Sequence, residues 1–398
     1  MVNMVAALYL HIPFCKKICP FCSFAVRPDH PQKHASYFEL IQKEFDLVCQ
    51  TCTLDFSDLG SIYFGGGTPS RLLLTELEEW VVWLNRSVRT AQQAEWSIEI
   101  NPEDMSPDYA TGLVGLGFNR VSLGVQSFSE EGLNRIGRQH TPDKSRQAIY
   151  QLQEAGITNL NLDLIFGYPG QTLDHLEADL AELVQWDPPH ISAYCLTIEK
   201  RTPIFRKPDW QKWQDDHEER IVSMYHLIVN FLSGRGYRQY EISNFAKKGY
   251  QSRQNLCNWN GKNYLGLGMG AHSLIFPFRW GNQRRWVDYK KALLADHLPR
   301  EFDELLDRFQ IRDELLMMSL RQKKGLNLVG FESNHAPDLM SVWGGKLEQL
   351  IAAGLADVSQ GRLRLTTAGM LLADELTSDL AVLLDDTYPP SRKDVGRA

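Results

Sequence analysis

The stretch from Leu8 to Phe24 reads LYLHIPFCKKICPFCSF. An apolar, β-like run leads directly into three cysteines, Cys15, Cys19 and Cys22, spaced C-x3-C-x2-C. Three thiolates are one short of the four that usually hold an iron–sulfur cluster. They can fix three irons of a four-iron cube and leave the fourth corner open, and an open coordination position marks a working metal site rather than a structural one. The alternatives fit less well. A structural zinc needs four ligands, and no second Cys or His pair with finger spacing lies nearby. Cys19-Pro-Phe-Cys22 alone has the spacing of a redox pair, which leaves Cys15 unexplained.

Working outward, apolar runs alternate with amphipathic stretches through the first half. Strand-like segments start at Ala7 (ALYLHIPF), Ser61 (SIYFGG), Trp96 (WSIEIN), Arg120 (RVSLGVQ), Asn159 (NLNLDLIFG) and His190 (HISAYCLTI). Helical spacing covers 36–51, 74–88, 141–155 and 173–186, and turn signals at Gly156, Gly170 and Asp187-Pro188-Pro189 punctuate the series. Six β–α repeats imply an α/β fold with parallel strands and right-handed crossovers. Either an open doubly wound sheet or a partial (β/α) barrel satisfies the pattern, and both put function at the C-terminal ends of the strands. The polar residues obey that rule. The cysteines follow the first run, Gly65–Pro69 (GGGTP) ends the second, Glu99 and Asn101 end the third, Gln126 ends the fourth, and Asp163 lies in the fifth.

Composition narrows the class. The 398 residues are 43% hydrophobic and 23% charged, with a net charge of -7, so the chain is globular and lacks the basic field that holds nucleic acid. No apolar run is long enough to span a bilayer, and the first residues lack a signal peptide's charged start and cleavage site. Seven cysteines, an odd number, suit a reducing cytoplasm better than a disulfide framework.

The cysteine spacing, with Phe21 before the third cysteine, resembles the radical S-adenosylmethionine (SAM) superfamily. YLHIPFC (from Tyr9), YFGGGTPS (from Tyr63), IEINPED (from Ile98), RVSLGVQSF (from Arg120), IGRQHT (from Ile136), LDLIFGYPGQT (from Leu162) and LGLGMGAHS (from Leu265) narrow the resemblance. They are similar to the oxygen-independent coproporphyrinogen III dehydrogenases and their relatives, the HemW-type heme chaperones. The resemblance spans about two-thirds of the chain. It implies a radical SAM partial (β/α)6 barrel over residues 1–245, a connecting segment over 246–300, a smaller C-terminal α+β accessory domain over 301–384 and a tail over 385–398.

It also implies cofactors and their ligands. A [4Fe-4S] cluster would sit on Cys15, Cys19 and Cys22. SAM would chelate the open iron, and one electron would cleave its sulfonium to methionine and a 5′-deoxyadenosyl radical. Tyr9 and Gly66-Gly67-Thr68 would meet the methionyl end, and Phe21 would line the adenine pocket. Glu99, Gln126, Arg138 and Asp163 would hold the ribose and charged groups. A flavodoxin- or ferredoxin-like protein would supply the electron.

Two branches of the group differ near the cluster. The dehydrogenases carry a further cysteine two positions on, making C-x-C, and a longer segment before the first strand. Here Ser23 and Phe24 follow Cys22, and about seven residues precede Leu8. Both features favour a heme chaperone that binds heme or a porphyrin and passes heme to an acceptor protein, over a decarboxylating oxidoreductase. Such acceptors are often membrane proteins, which leaves peripheral membrane contact open. The chaperone motif H-N-x-x-Y-W reads here Gln254-Asn255-Leu256-Cys257-Asn258-Trp259. Asn255 and Trp259 match, but no imidazole stands at Gln254. Cys257 and His272 are then the candidate axial ligands, since thiolate and imidazole both hold heme iron, and Cys257 reads equally as a small buried residue, the common fate of a free cysteine.

The last third reads differently. A helix is expected over FDELLDRFQIRDELLMMSLRQ (from Phe302), then further helices, a small β-hairpin in ADVSQGRLRL (from Ala356) and a closing helix. That order is winged-helix-like, but Glu348 and Gln349 on the recognition-type helix argue against phosphate contacts.

Overall fold

A computed structural model of the chain describes residues 2–387. Six parallel strands, β1 (Ala7–Ile12), β2 (Leu59–Gly66), β3 (Thr90–Ile100), β4 (Arg120–Gln126), β5 (Asn159–Phe166) and β6 (His190–Cys195), lie side by side in chain order. A doubly wound sheet reverses its strand order part-way, whereas these six strands follow one another without a reversal, so the six β–α repeats form the partial barrel. Alternation along the strands separates two layers. Leu8, Leu10, Ile62, Phe64, Ile98, Val121 and Leu162 point outward into the apolar core, while Tyr63, Glu99, Ser122 and Asp163, of the opposite parity, line the inside.

Helices α1 (His34–Thr51), α2 (Leu74–Ser87), α3 (Pro107–Gly115), α4 (Glu130–Ile136), α5 (Pro142–Glu154) and α6 (Leu173–Gln185) make the crossovers. Ser106, Ser129, Thr141 and Thr172 start four of them by accepting backbone N–H groups otherwise left without partners. Phe64 stands 5.3 Å from Phe118 and 6.0 Å from Trp80, ring centre to ring centre. Emptying such a site costs about 3–5 kcal/mol.

The sheet continues past both ends of the barrel. β8 (Asn244–Ala246) pairs with β6 and β7 (Arg238–Gln239) with β8, and β9 (Tyr264–Leu267) pairs parallel with β1. β10 (His272–Ile275), β11 (Phe278–Asn282) and β12 (Arg300–Leu305) then add antiparallel strands, for twelve in all. The segment 246–300, expected to connect, therefore supplies strands of the central sheet. The helix expected from Phe302 also begins later. Phe302 and Leu305 pair with Gly281 and Phe278, because a partner strand overrides the weak helical preference of FDELL. Asp307 caps the next helix instead, accepting from Phe309 N and Gln310 N.

Between these strands run α7 (Pro208–Asp216), α8 (Glu218–Ser233), α9 (Arg253–Trp259) and α10 (Trp286–Leu294). The C-terminal unit follows as α11 (Arg308–Leu320), β13 (Leu326–Asn327), α12 (Leu328–His335), α13 (Leu339–Ala352), the hairpin β14 (Ala356–Ser359) and β15 (Arg362–Leu365), α14 (Thr367–Leu371) and α15 (Ala373–Thr387). Its small sheet has the order β13-β15-β14, the winged-helix-like arrangement. The one basic residue of α13, Lys346, is paired with Asp379 at 2.7 Å. The first three residues of the expected tail are helical, and Asp385 pairs with Arg312 at 2.5 Å. The remainder, 388–398, lies outside the described residues.

Candidate functional site

The cysteines lie in the loop after β1, and that loop is tied down along its length. Arg27 N donates to Pro13 O (2.8 Å), Asp29 N to Cys15 O (2.9 Å) and Cys22 N to Cys19 O (3.1 Å). His11 Nε2–H donates to Ala25 O at 2.8 Å, and its Nδ1 accepts the Tyr9 hydroxyl at 3.1 Å. Both contacts fit one neutral tautomer, and burial pushes this imidazole down to about 4.

Beneath the loop is a cavity of about 370 Å³ at the C-terminal ends of the strands, within the ~300–1,000 Å³ of small-molecule sites. It collects Cys15, Cys19, Cys22, Phe21, Gly66, Gly67, Thr68, Glu99, Gln126, Arg138 and Asp163. Eleven residues singled out in the sequence thus converge on one space. Tyr9 does not join them. Its ring stacks behind Tyr63 at 6.0 Å, and Tyr63 takes the cavity wall in its place.

All seven cysteines are free. Burial pushes the Cys15 thiol up to about 12, with the Cys22 and Cys19 thiols adding to the rise, and burial also raises Cys22. Both therefore keep their protons until a metal displaces them. Thr68 Oγ1 donates to Cys15 Sγ at 3.5 Å, and Arg138 Nη1 donates to Cys19 Sγ at 3.4 Å. Among the described residues no group of His, Cys, Asp or Glu closes around a single ion.

The opposite wall is polar. Glu99 accepts from Tyr63 OH and from Gly66 N, each at 2.9 Å. Burial lifts its carboxyl to about 7, with the Asp163 charge pushing the same way. Burial raises Asp163 also, against hydrogen bonds from Ser192, Asn161 and Ser122. Arg138 follows the left-handed Gly137, where a Cβ would stand 2.8 Å from Pro20 of the cysteine loop. Its Nη2 donates to Asn101 Oδ1 at 2.6 Å.

The wall fits a small polar ligand. Gln126 Oε1 and Arg138 Nε are buried without a hydrogen-bond partner, an acceptor and a donor left for a guest. Gly66 has φ +108, and a Cβ on Gly67 would sit 2.7 Å from the Pro13 carbonyl carbon, so the backbone comes close to the loop. Asn101, placed at the end of the third strand by the sequence, lines the cavity as well, and Tyr63, Tyr194 and Cys195 line it and went unrecognised in the sequence. Tyr63 and Asn101 sit inside the quoted strings. Tyr194 and Cys195 lie in the sixth strand-like run, where nothing but their place at its end marks them.

The expected heme residues scatter. α9, with Asn255, Cys257 and Trp259, packs at the opposite end of the strands. There Arg253 N donates to Glu95 Oε1 (3.1 Å) and Asn255 Nδ2 to Tyr240 OH (3.3 Å). Trp259 O accepts from Gln322 Nε2 at 2.8 Å. Cys257 is 5% exposed and faces the carbonyls of Lys262 and Asn263. His272 is exposed, at the other end of the β9–β10 hairpin.

Residues 9–183 match the model of the radical SAM superfamily, and residues 306–372 match that of the HemN C-terminal domain. Heme chaperone HemW of Bacillus subtilis is 32% identical over 370 residues, covering 92% of this chain and 97% of that one. The chain belongs to the HemW heme chaperone family. HemW of Haemophilus influenzae is 34% identical, with 81% of this chain and 86% of that one covered. The solved structure of Escherichia coli coproporphyrinogen III oxidase (HemN), a radical SAM enzyme, superposes with a TM-score of 0.79. It covers 97% of this HemW-family chain and 91% of HemN at 22% identity, which establishes the shared fold. No helix of the described residues is long and apolar enough to cross a membrane.

Proposed function

We propose that this chain is a heme chaperone that holds a [4Fe-4S] cluster, SAM and heme and passes heme to an acceptor protein. The observation that carries the reading is the cavity. It joins three free thiols to the polar strand ends, in a chain that matches proteins named heme chaperone over nearly its whole length.

Cys15, Cys19 and Cys22 would hold the cluster, and Gly66-Gly67-Thr68 would let the methionyl end of SAM approach. Bound there, SAM on a reduced cluster supplies one-electron cleavage of its sulfonium bond. Arg138 orients a carboxylate through its unpaired Nε–H. Glu99, near neutrality in its titration, ionises beside a bound cation. Asp163 and Gln126 accept hydroxyl or amino hydrogens, and Phe21, packed on the Ile136–Ile165 cluster, covers an aromatic ring. Seven unpaired thiols suit a reducing compartment such as the cytoplasm. A one-electron donor of flavodoxin or ferredoxin type completes the set of partners.

The second reading is a porphyrinogen dehydrogenase. Phe24 disfavours it, standing where that branch carries cysteine and 65% exposed at the cavity rim. Anaerobic incubation with coproporphyrinogen III, SAM and a reductant, beside a hemin titration, separates the two. Heme uptake without porphyrinogen turnover is the expected result, and decarboxylated product contradicts it.

A further inference from the structure

A second arrangement lies outside the cavity, on the sheet extension. His272 faces Gly281 across β10–β11, and Gly281 faces Phe302 across β11–β12, so the three form one row on one face. The His272 and Phe302 rings lean together over the glycine, 5.6 Å apart at 58°. A Cβ on Gly281 would stand 2.4 Å from the Phe302 ring and 3.2 Å from His272 Cε1, so this contact requires glycine.

The imidazole is available. Its ring nitrogens have no hydrogen-bond partner among the described residues, and its neighbour Phe302 is 41% exposed. Partial burial, then the charges of Arg284 and Arg279, push His272 below its ordinary value, with Glu301 acting the other way. A neutral imidazole has a lone pair free for iron.

The two arginines differ. Arg279 is held by Glu304 and Glu314. Arg284 has no carboxylate partner among the described residues, and it donates to Ser23 O, one residue after Cys22. The row and the cysteine loop therefore share one unneutralised guanidinium.

We propose that His272, Phe302 and Gly281 form the heme platform of this protein, with His272 ligating the iron, Phe302 lying against the macrocycle and Arg284 pairing with a propionate. The assignment rests on the chaperone reading and gives heme a place, on the flank of the cysteine loop rather than on α9. One imidazole on an open face leaves the other axial position free for an acceptor's ligand, which suits a protein that gives heme away.

Hemin titration of the full chain, followed by the Soret band, tests this. His272→Ala is expected to weaken affinity on the order of tenfold or more and to shift the band, with added imidazole restoring it. His272→Gln, which keeps size and polarity without a ligating ring, gives the same loss. Gly281→Val weakens binding while cluster iron stays unchanged. A His272→Ala chain with the parental band and affinity overturns the platform and leaves the chaperone reading standing. An unsubstituted chain that takes up no hemin overturns both.

Discussion

The Arg138 guanidinium reaches the Cys19 sulfur at 3.4 Å, so a residue from beyond β4 touches the cysteine loop directly. The same side chain holds Asn101 and keeps an unpaired Nε–H in the cavity wall. A charge-assisted hydrogen bond to a ligand contributes about 1.5–3 kcal/mol. Arg138→Met should therefore weaken SAM binding by about tenfold or more, read by equilibrium dialysis of the reconstituted protein. An unchanged SAM Kd would remove Arg138 from the binding wall.

Gly67 tests how closely strand and loop must approach. A Cβ there meets Pro13 C at 2.7 Å and Ile12 O at 2.8 Å, both backbone atoms that cannot swing aside. Gly67→Ala should destabilise the chain by about 1–3 kcal/mol. Chemical denaturation checks this, and a stability within error of the parent would show that the loop gives way freely.

Glu44 sets a pH dependence. Its carboxylate is buried in α1 and receives Tyr289 OH (2.6 Å), Gly268 N (2.9 Å) and Asn282 Nδ2 (2.5 Å), with no cation among these partners. Burial raises its carboxyl to about 7 against those three donors. Folded protein thus binds the proton more tightly than unfolded chain. The stabilisation is full below the unfolded value and is lost as pH rises through about 7. Melting temperature should fall between pH 5 and pH 8, a window of roughly that span, and Glu44→Gln should flatten the slope. Equal slopes in the two proteins would contradict the assignment.

Much of this was legible in the chain. The six barrel strands each announced themselves by a β-rich run, and the quoted strings put the cysteines, Gly66, Glu99 and Gln126 at strand ends, Asp163 within a strand and Arg138 in the loop after α4, all of them on one cavity. Four features were not legible, for separate reasons. Tyr9 and Tyr63 share a parity, and only the register Tyr9↔Tyr63 with Glu99 beyond decides which ring reaches the cavity. Phe302–Leu305 took a strand because β11 was there to pair with it. Glu44 reads as a surface residue of an amphipathic helix, since its partners lie 224 to 245 residues further along. Cys257 read equally as an iron ligand and as a small buried residue, since free thiols do both. Its burial against two carbonyls depends on how α9 docks, which no local pattern encodes.

Oxygen-free reconstitution followed by iron and sulfide counting bears most directly on the whole account. About four of each per chain are expected, with loss of the cluster when Cys19 is changed to Ala and no loss when Cys257 is changed to Ser. Bound zinc in place of iron, or a full iron and sulfide count in Cys19→Ala, would contradict it.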